Sequence, residues 1–303
     1  MSKRILLIGF GFIGSSLYSV LMQNHRNLDI VVIDRNKPPS YFNTELHKWI
    51  VDDYRVCKCL KDLLISSDYI FYFVSTTVPC TSVVQPSKEV NDNIIPLLRM
   101  LEEVRKSTRS PLIVFPSSAS VYGHQEKIPI MENAIISPIS FHGLYKSTIE
   151  QYLLLYSKKF NLRSVILRIS NPYGIMQNTK KGQGIIPLII KSIKHNKSLT
   201  LYGASICTRD FIHVNDLAMA LAALISKKPE KSIYNISSSS ETKVSDLIEM
   251  IQKMYKCKLD FESFPLRSTD IKRSCLDSSL FSREFNWSNR IDINEGLAEF
   301  CLI

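Results

Sequence analysis

The sequence lacks any long hydrophobic run. Although 45% of its 303 residues are apolar, its apolar runs, such as residues 69–74, have the length of a strand. A membrane-spanning helix needs roughly 18 such residues. The basic start of the chain precedes an apolar stretch that is too short for the core of a signal peptide, and glycines interrupt it. These features predict a cytoplasmic protein with no membrane span.

Cysteine offers no framework for the fold. The seven cysteines are scattered and odd in number, which argues against a disulfide scaffold. Cys57 and Cys59 form a CxC pair, but no second pair stands at metal-ligand spacing, so we expect unpaired thiols and no metal site.

Basic residues also lack a pattern. The 38 Lys and Arg residues exceed the 28 Asp and Glu residues, which gives a net charge of +10. No basic stripe alternates with stacking aromatic residues, so we expect no nucleic-acid partner, and the charge stays unexplained until a site for an anionic ligand is identified.

The sequence does have an alternation of short apolar runs and longer amphipathic segments. The runs are continuously apolar, as expected for strands of a parallel sheet that is covered by helices on both faces. They lie at residues 5–8, 30–33, 69–74, 112–115 and 164–169. The pattern predicts an α/β protein with a Rossmann-type doubly wound parallel sheet.

A glycine-rich turn follows the first predicted strand. Gly9, Gly11 and Gly14 form GxGxxG at the start of a helix, where glycines permit a tight turn and close approach to a pyrophosphate. The second strand ends in Asp34, where a carboxylate would hydrogen-bond both ribose hydroxyls of NAD and repel the extra phosphate of NADP. We predict NAD as the cofactor. Arg35, beside Asp34, keeps NADP as the less favoured alternative.

The chain changes character after residue 170, with short strands predicted at 199–202 and 258–261. A helix over 214–226 and a strand over 232–236 again have the look of a βα unit. We therefore predict a dinucleotide-binding domain over 1–170, with about 212–236 returning to it. A smaller mixed α/β substrate lobe is predicted from 171–211 and 237–303.

Ser118 stands directly after a predicted strand, at the sheet edge where open α/β sheets bind ligands. With this segment the chain resembles the extended short-chain dehydrogenase/reductases of the NAD-dependent nucleotide-sugar epimerase/dehydratase family, in particular UDP-galactose/UDP-N-acetylglucosamine 4-epimerases. The similarity runs in order from residue 4 to about residue 300. The matching segments are residues 11–14, 53–55, 117–123, 137–150, 167–174, 209–216 and 234–236.

The resemblance implies a role for each matching residue. It adds cofactor contacts from Phe12, Ile13, Asp53, Tyr54, Lys146 and Pro172. It places Asn171, Arg209 and Arg267 at the nucleotide diphosphate, where guanidinium groups make strong paired hydrogen bonds. It also places Ser274 beside the hexose C2 substituent, where a small residue leaves room for an N-acetyl group.

The chain departs from the family at the catalytic centre. The family has Tyr-x-x-x-Lys, and His142 holds the place of that tyrosine, four residues before Lys146. A neutral imidazole accepts a proton at pH 7 without help, and Lys146 would lower its pKa further. Three alternatives stay open: His142 transfers the hydroxyl proton, Tyr145 or a water does so, or the protein is inactive and only binds.

The resemblance also bears on the reaction. Dehydratases of the family carry Asp-Glu after the catalytic Ser or Thr, whereas this chain has Ala119-Ser120, so we expect no dehydration. We predict an NAD-dependent epimerase of a nucleotide-diphosphate sugar, acting through a keto sugar in surface polysaccharide precursor synthesis. A reductase of nucleotide-linked 4-keto sugars and a dinucleotide-binding protein without catalysis are the alternatives. The resemblance implies a homodimer through helices near 91–107 and 143–160.

Overall fold

A seven-stranded parallel sheet lies at the centre of the molecule. The computed structural model describes residues 2–24, 27–76, 85–177, 184–267 and 270–302. Its strands are β1 (Lys3–Ile8), β2 (Leu28–Asp34), β3 (Lys48–Val51), β4 (Tyr69–Tyr72), β5 (Leu112–Ser118), β6 (Ser164–Ile169), β7 (Asn171–Tyr173), β8 (Leu199–Tyr202), β9 (Thr208–Arg209), β10 (Phe211–His213), β11 (Ile233–Ile236), β12 (Thr242–Lys243) and β13 (Phe261–Phe264).

Helices connect these strands. They are α1 (Phe12–Asn24), α2 (Leu60–Ser66), α3 (Ser87–Glu89), α4 (Ile95–Val104), α5 (Phe141–Phe160), α6 (Ile185–Lys194), α7 (Val214–Ser226), α8 (Val244–Tyr255), α9 (Ser279–Phe285) and α10 (Ile293–Ala298). A π-helical turn, Val90–Ile94, joins α3 to α4, and a 3₁₀ turn, Ala119–Val121, follows β5. No helix within the described ranges is long and apolar enough to cross a membrane.

The strand order confirms the predicted doubly wound sheet. Across the sheet the order is β11-β6-β5-β4-β1-β2-β3, and each neighbouring pair is parallel. Apolar side chains of α1 and α7 form a core on one face, and those of α2, α4 and α5 form a core on the other. The strands are therefore buried on both sides, which explains their continuously apolar sequences. Their carboxyl ends share one edge, where the loops that follow β1, β2, β4 and β5 meet.

The segments around α6 and α8, which we call the C-terminal lobe, have their own core and small sheets. Strand β7 pairs with β10, β9 with β12, and β8 with β13, and a third apolar cluster lies between α6 and α8. The strand predicted over 258–261 lies three residues further along the chain, at β13. The Leu259 N–H instead donates to the Gln252 side chain of α8 (2.7 Å). Strand β3 was not predicted, since its apolar run, residues 49–51, is only three residues long.

Candidate active site

The turn between β1 and α1 leaves room for an anion. Gly9 has a φ of +94°, and its N–H donates to the carbonyl of Ile33 (2.9 Å). A Cβ on Gly14 would lie 2.6 Å from the Gly9 carbonyl oxygen, so only glycine lets α1 pack this closely. A Cβ on Gly11, by contrast, would meet no described atom within 4 Å. The turn is therefore open beside Gly11, with the N-terminus of α1 behind it.

Asp34 ends β2 beside this turn. Its Oδ2 accepts a hydrogen bond from the Phe10 N–H (2.8 Å), and its Oδ1 accepts one from the Asn36 N–H (2.8 Å). These bonds fix the carboxylate at the rim of the turn, and each oxygen keeps accepting capacity. The position suits the two hydroxyls of an adenosine ribose.

Of the two predicted cofactor contacts after β3, Asp53 lies near the surface and Tyr54 lies in the core. Asp53 binds the guanidinium of Arg55 (Oδ2 to Nη2, 2.7 Å), and this hydrogen-bonded partner lowers the pKa of Asp53. The Tyr54 side chain lies inside the core, where its hydroxyl shares a hydrogen bond with that of Tyr72. Burial raises the pKa of Tyr54 to about 12. Any contact of Tyr54 with a cofactor would therefore come from its main chain.

Helix α5 begins against the end of β5. Its N-cap is Ser140, whose Oγ accepts a hydrogen bond from the Gly143 N–H (3.1 Å). Gly143 packs so closely on the 3₁₀ turn that a Cβ there would lie 2.4 Å from the Ser120 carbonyl oxygen. This close approach brings the predicted catalytic residues of the helix to those of the strand.

His142 is a buried, neutral base. The residue is 9% exposed, and its Nδ1 has no hydrogen-bond partner among the described residues. Burial, and secondly the charge of Lys146, lower the pKa of His142 to about 3. The imidazole is therefore uncharged at neutral pH and can accept a proton.

Lys146 lies one turn further along α5 and is also buried. Its Nζ donates to the carbonyl of Pro116 (2.7 Å) and lies 4.7 Å from the centre of the Phe115 ring. Burial lowers the pKa of Lys146 to about 8, against the charges of Glu150 and Glu89, which raise it. At neutral pH the lysine is thus predominantly a cation.

The Tyr145 hydroxyl is occupied by a hydrogen bond within the protein. The Tyr145 side chain is 3% exposed, and its hydroxyl shares a 2.8 Å hydrogen bond with Ser75 Oγ. Its ring stands at 87° to the His142 ring, with 5.2 Å between the centroids. Burial raises the pKa of Tyr145, which makes it a poor proton acceptor.

Ser118 ends β5 and remains able to donate. Its Oγ accepts hydrogen bonds from the Ser120 N–H (3.2 Å) and the Ser120 hydroxyl (2.9 Å). Because Ser118 is the acceptor in both bonds, its own hydroxyl proton is available to a substrate oxygen.

A buried polar network beneath Ser118 escaped the sequence analysis. Arg168 pairs with Glu150 (Nη2 to Oε2, 2.7 Å) and donates to the Tyr122 hydroxyl (3.0 Å). The Ser117 hydroxyl donates to Glu150, and the Tyr122 hydroxyl donates to Asn235 (2.7 Å). These bonds tie α5, β6 and β11 to β5. An arginine within an otherwise apolar strand was the available signal, because a buried charge requires a partner.

The loop after β4 also joins the site without having been predicted. The Thr76 N–H donates to Asn93 Oδ1 (3.1 Å), and Asn93 Nδ2 donates to Glu89 Oε2 (2.8 Å). Ser75 and Thr76 directly follow a buried strand, so the rule that identified Ser118 would have identified them. The following residues, 77–84, lie outside the described part of the chain, as does Cys80.

Two residues predicted to bind substrate lie near the end of β6. Asn171 begins β7, and its N–H (3.0 Å) and Nδ2 (2.9 Å) both donate to the Asp210 carbonyl. Pro172, a predicted cofactor contact, follows it in β7. Arg209 lies in β9 and is half-buried, with Nη1 donating to the Thr208 carbonyl (2.7 Å). Arg209 keeps further N–H groups for a ligand.

Arg267 lies on the C-terminal lobe and is more open. Its side chain is 57% exposed and forms a bidentate pair with Asp270 (2.7 and 2.8 Å). The guanidinium lies 4.4 Å from the centre of the Tyr202 ring. Ser274, further along the same segment, is buried.

Comparison with known proteins places this arrangement in a family. The model of the NAD dependent epimerase/dehydratase family matches residues 5–237, more than half of the chain. The chain belongs to this family. The resemblance predicted from the sequence is therefore confirmed, as is NAD, the cofactor of this epimerase/dehydratase family.

Relatives of this epimerase/dehydratase chain match over nearly its whole length. A putative UDP-glucose 4-epimerase of Methanocaldococcus jannaschii is 28% identical over 95% of this chain and 94% of its own. The dTDP-4-dehydro-6-deoxyglucose reductase of Escherichia coli is 26% identical over 95% of this chain and 93% of its own. The UDP-glucose 4-epimerase of Thermus thermophilus, solved with NAD, is 22% identical with a TM-score of 0.85, covering 98% of this chain and 97% of its own. That structure supports the shared fold.

Proposed function

We propose that this chain is an NAD-dependent epimerase of a nucleotide-diphosphate sugar that acts through a transient keto sugar. Bound NAD would supply the acceptor, and in its reduced form the donor, for the hydride of the sugar carbon. The open turn at Gly11 would hold the NAD pyrophosphate, Asp34 the adenosine ribose and Lys146 the nicotinamide ribose. Further contacts to NAD would come from Gly9, Phe12, Ile13, Gly14, Asp53, Tyr54 and Pro172.

The buried, neutral His142 is the observation that carries the proposal. In an epimerisation the sugar hydroxyl loses a proton when its carbon is oxidised, and regains one when the keto group is reduced from the other face. The uncharged imidazole of His142 has the free lone pair that this transfer requires. Its low pKa makes it a weak base, so the transfer depends on groups that acidify the sugar hydroxyl while its carbon is oxidised. Burial and Lys146 destabilise the resulting imidazolium, so it returns the proton readily. No proton and no reducing equivalent is consumed in the cycle.

Net reduction of a keto sugar makes a different demand on His142. Reduction needs a proton donor at its start, and an imidazole with a pKa of about 3 is not protonated at neutral pH. This favours epimerisation. The similarity to the Escherichia coli reductase makes keto-sugar reduction the second candidate.

Ser118 and Lys146 would assist His142 from two sides. The Ser118 hydroxyl, which already accepts two hydrogen bonds, would donate to the sugar oxygen and hold it during proton transfer. The cationic Lys146 would favour the alkoxide character that develops on that oxygen. The Nδ1 atom of His142 is buried, so Nε2 is our candidate for the atom that receives the proton.

The substrate we propose carries two phosphates. Arg209 and Arg267 would bind the diphosphate through charge-assisted hydrogen bonds, together with the Asn171 amide. Tyr202 would pack beside the nucleotide base. Ser274 has a small side chain, which supports a sugar with an N-acetyl group at C2. We infer a role in the synthesis of surface polysaccharide precursors.

We also propose a homodimer through α4 and α5. Phe141, Leu144 and Leu155 on α5 are exposed in the single chain, and a second copy of the helix would cover them. Light scattering of the purified protein would then give twice the 34.7 kDa mass of the chain.

A set of assays tests the reaction. The protein with NAD is incubated with UDP-glucose and UDP-N-acetylglucosamine, and with a dTDP-4-keto-6-deoxy sugar plus NADH, while NADH absorbance is followed and sugars are separated. We expect a UDP-hexose to equilibrate with its 4-epimer at constant absorbance. Continuous oxidation of NADH by the keto sugar would instead identify a reductase. Retention of NAD without turnover of any substrate would identify a binding protein.

A further inference from the structure

We propose that Tyr145 is a positioning residue that seals the His142 imidazole from water and fixes the orientation of its ring. This inference rests on the proposed role of His142 in proton transfer. It assigns Tyr145 a function different from the direct proton transfer left open by the sequence.

The geometry places Tyr145 as a wall beside His142. The two rings contact at 87° with 5.2 Å between centroids, the edge-to-face arrangement that aromatic pairs prefer. Burial leaves the Tyr145 ring no room to turn away, since the residue is 3% exposed. Packing therefore holds the ring, and its hydroxyl also shares a 2.8 Å hydrogen bond with Ser75 Oγ in the loop after β4.

The same bond argues against Tyr145 as the acid or base. A group that transfers a substrate proton must reach the reacting oxygen, and the Tyr145 hydroxyl is already paired with that of the half-buried Ser75. The residue thus acts on the sugar only through His142.

Sealing has a chemical consequence, because no contact given by the described residues would stabilise a protonated His142. Nδ1 of His142 is buried without a hydrogen-bond partner among the described residues. The charge that bears on the ring is that of Lys146, on the same helix, which opposes protonation. From the adjoining elements, Glu89 of α3 acts on Lys146 and Tyr145, while Ser118 presents an uncharged hydroxyl. A protonated His142 would therefore depend on water for its stabilisation, and the Tyr145 ring excludes water.

Exchange of the imidazole C2–H for deuterium, read by mass spectrometry, tests this without an activity assay. Its pH dependence gives the pKa of each histidine, and its limiting rate reports water access. In the unaltered protein we expect His142 to exchange roughly tenfold more slowly than the exposed His124 and His195. Equal rates would overturn the proposal, whichever variants fold.

Two substitutions then separate the ring of Tyr145 from its hydroxyl. Tyr145→Phe keeps the ring and should leave the His142 pKa and exchange rate nearly unchanged. Tyr145→Ser opens the wall and should raise the His142 pKa by about one pH unit or more, toward 6.5. Tyr152→Ser, further along α5, is the matched control and should change neither.

The pH dependence of kcat/KM should change in the direction set by the His142 pKa. His142 must be neutral to accept a proton, so the Tyr145→Ser enzyme should lose kcat/KM in acid as the pH falls through the raised pKa, while the Tyr145→Phe enzyme keeps the unaltered profile. An unchanged His142 pKa in Tyr145→Ser would disprove the positioning role even if epimerisation persists. A raised His142 pKa in a protein with no epimerase activity would support sealing and reject the proposed function.

Discussion

His142 is 9% exposed and Lys146 is 6% exposed, whereas the side chain of Arg267 on the C-terminal lobe is 57% exposed. The first two are held by packing: the Tyr145 ring stands against His142, and Lys146 donates to a strand carbonyl. Arg267 is held at the surface by Asp270 and by the ring of Tyr202. We call the buried surroundings of His142 and Lys146 the dry region, and the exposed surroundings of Arg267 the wet region.

The difference in burial separates residues suited to proton transfer from residues suited to substrate binding. In the dry region burial changes what a group can do, because it sets the protonation of His142 and Lys146. In the wet region an exposed ion pair contributes about 0–1 kcal/mol, so a diphosphate can replace Asp270 at little cost. Changes in the first region should therefore affect turnover, and changes in the second should affect substrate binding.

The largest effect is expected from His142→Gln. Glutamine keeps polarity and approximate size but cannot accept the proton, so kcat should fall by about 10²–10⁴-fold with a small change in KM. Steady-state rates at saturating substrate measure this. The same substitution at the exposed His195 should leave kcat unaltered, and near-normal turnover by His142→Gln would return Tyr145 or water to consideration.

A smaller effect of the opposite kind is expected at the arginines. Arg209→Met or Arg267→Met should raise KM by about 10–100-fold, since a hydrogen bond to a charged group is worth about 1.5–3 kcal/mol. The value of kcat should change little. Initial rates over a range of substrate concentrations distinguish the two constants. The exposed Arg283→Met is the control, and a loss confined to kcat would show that the arginine acts on the chemistry instead.

The predictability of these regions from sequence differs as well. The sheet followed from local patterns, because strands buried on both faces must be continuously apolar. The phosphate turn and Asp34 followed from spacing. In each case the required property belongs to a short segment, so no distant partner had to be known.

Long-range partners could not be predicted in this way. The pairing of Arg168 with Glu150 joins residues 18 positions apart, and that of Ser75 with Tyr145 joins residues 70 apart. Nothing in either local sequence states which partner the fold supplies. For the same reason the sequence left Tyr145 open as the group that takes the substrate proton, although its hydroxyl is turned toward Ser75. Burial of His142 likewise depends on the packing of α5 on the 3₁₀ turn.

The smallest predicted effect is on the pH dependence of the free energy of unfolding. It tests whether water is excluded from His142. Burial lowers the pKa of folded His142 to about 3, below the ordinary 6.5 of the unfolded chain. As pH falls through 6.5 the unfolded chain binds a proton that the folded protein does not, so folding stability is lost between about pH 6.5 and 3. At pH 5.5 this loss amounts to about 1.4 kcal/mol relative to neutral pH.

His142→Gln removes this contribution. Denaturant unfolding at pH 7.5 and pH 5.5 should show the unaltered protein losing about 1.4 kcal/mol more than the variant, while His124→Gln, at an exposed site, should lose as much as the unaltered protein. An equal loss in His142→Gln would mean that folded His142 titrates normally. Water would then reach the imidazole, His142 could also donate a proton at rest, and the preference for epimerisation over reduction would lose its physical basis.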